Sequence, residues 1–345
     1  MHHACSRPPR DLRSCDARKH RDVDMALRSF LVAALLASTT TAAFAGGAQT
    51  LVLATYAYPK YDRAAALRPL AGHLSARLAT PVDVVVHESP QALADAILAG
   101  RVDVAVTNTF AFLAVRKDAA VRAVAAFDVP GTTPAGYRGV LVARRERAPD
   151  TATLVRDAAR LRYAQVIPGS TSGGLVQDLH LATLGLSPSR FAERSDAGTH
   201  DAALARLVDG TADVAALAEE PWRALRERSP QVALGLVQLW RSPPIPAGPV
   251  VCRRSTRLAC DDVERLLLAL GDESPAALTS LVAAWSEFAG ARRLIGVDLH
   301  MFDALGAGSS AARDALLRAR HSYQRTQKRD PRSRMLSQSM RPLST

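Results

Sequence analysis

Apolar positions along the chain fall into short alternating blocks from residue 50 to about residue 295. Residues 50–54 (TLVLA) form an apolar run short enough to be a buried strand, and Leu67, Leu70, Leu74 and Leu78 then recur at helical spacing across 64–78. Strand-like runs follow at 82–86, 102–106 and 121–127, with helical segments at 90–99 and from 111 between them. Such βαβαβ alternation predicts a parallel sheet with helices on its faces.

The stretch 129–136 (VPGTTPAG) interrupts the pattern and reads as a crossing between two units. The second unit predicts strands at 138–143, 163–167, 212–217 and 232–238, with helices at 153–161, 175–184 and 199–207. A second break, 241–248 (RSPPIPAG), precedes helical segments at 261–270, 276–285 and 288–294 that return to the first unit. Two α/β lobes joined by two crossings make a clamshell, and ligands bind between such lobes. The expected divisions are 46–135 for the first part of lobe 1, 136–241 for lobe 2, and 242–317 for the return.

Composition changes this picture mainly at the ends. The net charge of +11 is carried by residues 1–45 (+3) and 306–345 (+7), which leaves +1 for 46–305. The chain's basicity is therefore no sign of a nucleic-acid surface, and no nucleic-acid partner is expected. Residues 318–345 are rich in Arg, Ser and Gln and poor in apolar side chains, a composition that predicts disorder. Residues 25–45 combine a basic start at Arg28, a short apolar run and Ala43-Phe44-Ala45, which reads as a secretory signal cleaved after Ala45. Met25 then reads as the true start and residues 1–24 as an extension outside any fold; a long basic leader gives the same mature chain. The mature protein is expected in the periplasm.

Cys252 and Cys260 are the cysteines of the mature chain. In an oxidising compartment they are disulfide candidates, with two unpaired thiols as the alternative. No metal-ligand spacing and no cofactor-binding motif stands out.

The candidate chemistry centres on Pro168-Gly169-Ser170-Thr171-Ser172-Gly173-Gly174, between a strand and a helix. Helix N-termini present unpaired N–H groups and a positive dipole end, and hydroxyls there add donors without charge. An ordinary cap is the plainer alternative. His200 is either a surface histidine at a cap or a ligand donor, and Glu220 either an exposed acid or a cleft residue. Tyr58, with Tyr56 and Tyr61 as competitors, either packs at an edge or closes over a ligand. Tyr137 reads as a hinge or cleft residue, and Trp222, Trp240 and Trp285 as packing residues. A hydrolase is disfavoured because Gly169-Ser170-Thr171-Ser172-Gly173 places Thr at the centre of the G-x-S-x-G spacing. A nucleotide-binding loop is disfavoured for lack of Gly-Lys-Ser/Thr.

Taken together, Pro168–Gly173, Thr199-His200-Asp201 with Gly210-x-x-Asp213, Ser242-Pro-Pro-Ile-Pro246, and Gly100-Arg-Val-Asp103 through Thr107-Asn108-Thr109 resemble the phosphate, phosphite and phosphonate receptors of ABC importers. The resemblance covers about 50–305 and implies a type 2 periplasmic-binding-protein clamshell that is a binding protein and not an enzyme. It implies an oxyanion held by the hydroxyls of Ser170, Thr171 and Ser172, the N–H groups of Ser172 and Gly173, and His200. Tyr58, Thr107, Asn108, Phe112 and Glu220 would complete the site. Phe112 stands where the family commonly has Tyr. Gly248 stands where relatives that take aminoalkyl phosphonates carry a second carboxylate, which favours a ligand with an uncharged tail. The implied partner is an inner-membrane ABC permease, with a sensor kinase as the alternative, and the chain is expected to be monomeric.

Overall fold

The computed structural model describes residues 50–129 and 137–306. The leader and its cleavage after Ala45, residues 130–136 of the first crossing, and the basic tail from 318 lie outside the described residues.

Lobe 1 begins with β1 (Leu51–Tyr56), α1 (Arg63–Leu78), β2 (Val82–His87), α2 (Pro90–Leu98), β3 (Val104–Val106), α3 (Thr109–Val115) and β4 (Val121–Phe127). Lobe 2 comprises β5 (Gly139–Arg144), α4 (Thr151–Asp157), β6 (Arg162–Gln165), α5 (Val176–Thr183), β7 (Glu193–Asp196), α6 (His200–Val208), β8 (Val214–Ala218), α7 (Glu219–Arg228), α8 (Pro230–Ala233) and β9 (Leu236–Arg241). The chain returns to lobe 1 through β10 (Val250–Arg253), α9 (Cys260–Leu268), α10 (Leu270–Glu273), α11 (Pro275–Ala284), β11 (Leu294–Ile295) and α12 (Asp303–Gly306). Helix starts are fixed locally: the side chains of Asp62, Ser89, Asn108, Asp150 and Thr199 each accept an N–H of the first turn.

The lobe 1 sheet runs β11-β4-β10-β3-β1-β2 and the lobe 2 sheet β7-β6-β8-β5-β9. Both sheets are mixed, which corrects the expectation of parallel sheets. β1 is parallel to β2 and β3, and β6 is parallel to β7 and β8. In contrast, β10 is antiparallel to β3 and β4, and β5 to β8 and β9. Two of these strands adjoin the crossings, β5 after the first break and β10 after the second, while the short edge strand β11 is also antiparallel to β4. Each sheet thus receives a strand whose direction is set by the passage between lobes.

Other corrections have local causes. The expected strand at 232–238 starts at Leu236, because Pro230 opens the short helix α8. The expected helix at 288–294 is a tight turn, Ser286–Phe288, followed by β11.

The cores lie on both faces of each sheet. In lobe 1, Trp285 and Phe288 are fully buried, and Phe288 stacks on Phe127 with ring centroids 3.7 Å apart. Truncating an aromatic in such a place costs roughly 3–5 kcal/mol. In lobe 2, Tyr163 and Leu141 are fully buried, Trp222 donates to Gln238 Oε1 at 2.9 Å, and Trp240 stacks on His180. Cys252 and Cys260 are disulfide-bonded with Cα atoms 5.7 Å apart, tying β10 to the start of α9.

Candidate oxyanion cleft

A cavity of about 470 Å³ opens between the lobes. Lobe 2 contributes Ser170, Thr171, Ser172, His200 and Glu220, and lobe 1 contributes Tyr56, Tyr58, Arg63, Asn108 and Glu287. Tyr137 lines it from the first crossing.

The hydroxyl loop does not enter a regular helix. Leu175 N–H reaches back to Ser170 O at 2.9 Å, and Val176 N–H bonds Thr171 O, so Thr171–Leu175 is a widened π-type turn ahead of α5. Such turns are rare and recur at functional sites. Ser170 Oγ accepts the Gly173 N–H at 3.2 Å, which engages one of the N–H groups expected on the ligand. Gly169 has φ +83°, and a Cβ there would fall 2.9 Å from the Phe110 ring. Glycine therefore serves both the turn and the close approach of lobe 1.

The loop is fastened across the cleft. Asn108 Nδ2 donates to Gly169 O at 2.9 Å, and Phe110 N–H donates to Thr171 Oγ1 at 3.0 Å. Asn108 Oδ1 caps α3 through Ala111 N–H at 2.9 Å. Asn108 thus borders the cavity while its side chain holds the loop. Ser172 Oγ has no hydrogen-bond partner among the described residues and lines the cavity.

His200 is the first residue of α6, capped by Thr199. Its Nδ1 accepts the Ala218 N–H at 2.9 Å. Burial pushes the imidazole down to about 4, so it is neutral near pH 7. With Nδ1 used as an acceptor, the proton sits on Nε2, and the ring is a neutral donor. Gly173 makes room for the ring: a Cβ there would lie 2.4 Å from Val166 Cγ2 and 2.9 Å from His200 Cε1.

Tyr58 closes the other lip. Its phenol oxygen accepts the His200 N–H at 3.3 Å, and its pKa is raised, chiefly by burial. Lys60 Nζ pairs with Asp201 at 3.3 Å beside it. Tyr61, the other candidate at this lip, stacks on Tyr58 and also lines the cavity.

Sequence reasoning missed several lining residues. Arg63, 4 % exposed, starts α1 and lies over the rings of Tyr56 at 4.3 Å and Trp285 at 4.4 Å. It donates to Tyr56 O at 3.3 Å and Ala284 O at 3.2 Å. The cleft therefore holds a buried cation, where the sequence suggested neutral donors alone. Burial pushes Tyr56 up to about 12 and raises Tyr137 well beyond the usual phenol range. Glu287, half-buried on the wall beyond Trp285, is also held above the usual carboxylate range by burial. A lone Arg at a helix start and a Glu after Trp carry no local signal of a cleft.

Two expectations are corrected, at Thr107 and Phe112, and the position of Gly248 has a steric reason. Thr107 is buried away from the cavity and donates to Pro249 O at 2.6 Å. Phe112 packs edge-on against Phe302 in the lobe 1 core, with centroids 4.7 Å apart. Gly248 could not carry a cleft carboxylate, because a Cβ there would lie 2.3 Å from Thr107 O. Glu220 does line the cavity, on its exposed rim, while its neighbour Glu219 is held by Arg241 at 2.6 Å. Among the described residues, no cluster of His, Cys, Asp and Glu could hold a metal ion.

Residues 55–293 match the family described as the phosphonate periplasmic substrate-binding proteins of ABC transporters. No curated protein matches the chain. Among solved structures, PhnD1 from Prochlorococcus marinus in complex with methylphosphonate is 16% identical, with a TM-score of 0.57, covering 77% of this chain and 97% of that one. A binding-protein component of an ABC phosphonate transporter from Pseudomonas aeruginosa is 16% identical, with a TM-score of 0.54, covering 84% and 99%. XAC2383 from Xanthomonas citri bound to ATP is 17% identical, with a TM-score of 0.57, covering 79% and 98%. At these identities the likeness is one of fold, that of type 2 periplasmic binding proteins. With its two mixed sheets and the cleft between them, the chain belongs to the family of periplasmic phosphonate substrate-binding proteins of ABC transporters.

Proposed function

We propose that this protein captures a small phosphonate between its lobes, through its phosphoryl oxygens, and delivers it to an inner-membrane permease. The carrying observation is the tautomer of His200. Nδ1 is committed to the Ala218 N–H, so Nε2 offers a hydrogen to an anion at no cost in charge. Ser172 Oγ and the hydroxyls of Ser170 and Thr171 line the same cavity, and Tyr58 joins them from lobe 1. Each good donor to a charged oxygen contributes about 1.5–3 kcal/mol.

The same arrangement supports binding over hydrolysis. An imidazole protonated on Nε2 and tied through Nδ1 has no free lone pair with which to take a serine proton. The mature chain acts as a monomer after cleavage at Ala45, and phosphite and phosphate are smaller members of the same ligand class. The sensor alternative draws on no separate feature of the cleft. Thermal-shift measurements with methylphosphonate, phosphite, phosphate and sulfate test this reading. Stabilisation by at least one phosphorus oxyanion, lost in Ser172→Ala, is expected; no stabilisation by any of them contradicts it.

A further inference from the structure

The cleft's polar groups are lopsided. Around the hydroxyl loop, Ser170, Thr171, Ser172, His200, Tyr58 and Tyr137 can all donate, and Arg63 adds a guanidinium. Donors alone meet the oxygens of a phosphonate and of sulfate equally well. An acceptor distinguishes them, because a monoprotonated phosphonate carries a P–OH and sulfate does not.

The acidic residues of the cavity divide into two sets. Asp201, Glu219 and Glu220 sit at the lobe 2 lip, where Asp201 pairs with Lys60, Glu219 with Arg241, and Glu220 is exposed. Glu287 comes from lobe 1. It lies in the turn Ser286–Phe288, between Trp285 and Phe288, both fully buried, so its backbone is held by packing on either side. Arg63 shares this wall, lying over Trp285 and bonded to Ala284 O.

We propose that Glu287 is the specificity-determining acceptor of the cleft: its carboxylate takes the hydrogen bond of a ligand P–OH and so rejects oxyanions of the same shape that have no proton to give. The inference rests on the phosphonate-binding reading above. Two observations favour P–OH over an ammonium on the ligand's tail. Arg63 lines the same cavity as Glu287, over the Trp285 ring and bonded to Ala284 O, and a second cation on this wall meets repulsion. Tyr137 and Thr171 line the same cavity as Glu287, so the carboxylate and the anion-binding end face one enclosed space. Burial makes the bare carboxylate costly, and a proton shared with the ligand offsets that cost.

The test is titration of the mature chain and of Glu287→Gln with methylphosphonate, sulfate, propylphosphonate and aminoethylphosphonate, at near-neutral pH, where the P–OH form of the phosphonate is present and the Glu287 carboxylate is kept ionised. A site built around a ligand hydroxyl rejects analogues lacking it by on the order of 10⁴. The wild type is expected to prefer methylphosphonate over sulfate by a comparable factor. Glu287→Gln keeps the shape, removes the charge, and is expected to cut that preference at least about tenfold, chiefly by gaining sulfate. An unchanged preference overturns the proposal. So does a change confined to aminoethylphosphonate against propylphosphonate, which would assign Glu287 to the tail. Absence of methylphosphonate binding in the wild type would overturn the underlying reading, and this inference with it. If Glu287→Gln does not fold, Glu287→Asp keeps the charge and shortens the reach. It is expected to weaken methylphosphonate about tenfold without strengthening sulfate, and equal methylphosphonate affinity would overturn the proposal.

Discussion

His200 Nδ1 accepts the backbone N–H of Ala218 at 2.9 Å, so the end of β8 decides which nitrogen of the ring carries the proton. The bond joins the first turn of α6 to the last residue of β8, two elements adjacent in lobe 2. It fixes the chemistry of a ring that Gly173 allows to press against the hydroxyl loop.

A pH dependence follows from this bond. Burial lowers the imidazole from 6.5 to about 4 in the folded chain. Between those values the unfolded chain binds more protons, so stability rises with pH there. The contribution is fully present above about pH 6.5 and is lost as pH falls toward 4. Its size is roughly 1–3 kcal/mol. Urea denaturation of wild type and His200→Gln across this window checks it, with the variant expected to show the shallower loss. In NMR, the His200 ring protons are expected to stay unshifted from pH 8 down to about 5.

Tyr58 and His200 meet across the cleft, and the phenol oxygen accepts a helix-start N–H. Tyr58→Phe removes that acceptor and a donor to the ligand while keeping the ring. Ligand affinity is expected to fall by roughly 1–2 kcal/mol, about tenfold, with stability nearly unchanged. Lys60→Ala breaks an ion pair exposed by 55 % and 60 % on its two sides and is expected to cost less than about 1 kcal/mol, less still at high salt. Calorimetry at low and high ionic strength separates the two.

Gly173 and Gly248 are positions where a Cβ has no room. Gly173→Ala drives a methyl into Val166 and His200, and at least a tenfold loss of affinity is expected. Gly248→Asp, which would put a carboxylate where the sequence resemblance implies one for aminoalkyl phosphonates, places its Cβ against the Thr107 and Asn108 backbone. The expected outcome is a loss of stability above about 2 kcal/mol, with no gain in aminoethylphosphonate binding. A folded Gly248→Asp protein that binds aminoethylphosphonate would contradict it.

The Cys252–Cys260 bridge closes a short loop between β10 and α9. Chain-entropy arguments put its contribution at about 2–3 kcal/mol. Replacing both cysteines with Ala is expected to lower Tm by roughly 5–10 °C, without affecting ligand affinity, since neither residue lines the cleft.

Much of lobe 1 was legible in the sequence because its elements carry strong local signals. β4 is found at 121–127, as its apolar run indicates, and α1 begins within a residue of the leucine spacing. The hydroxyl loop announced itself by composition. What stayed hidden was set by tertiary context. β7 (ERSD) has no apolar pattern because it is an edge strand, and the antiparallel insertion of β10 is a property of the crossing. Arg63 and Glu287 are distant in sequence and line one cavity only because α1 and the segment after α11 share one wall of lobe 1. Thr107 and Phe112 lie where the family resemblance implies site residues, yet nothing in their local sequence signals which way their side chains turn. The local packing instead sends one side chain to Pro249 and the other to Phe302.

The most direct measurement is calorimetric titration of the mature chain with methylphosphonate, alongside Ser172→Ala and His200→Ala. The account predicts saturable one-to-one binding by the wild type. Each substitution should weaken it at least about tenfold, as expected for a lost hydrogen bond to a charged oxygen. Wild-type binding that both variants retain at full strength would contradict the claim that the hydroxyl loop and the neutral His200 hold the anion.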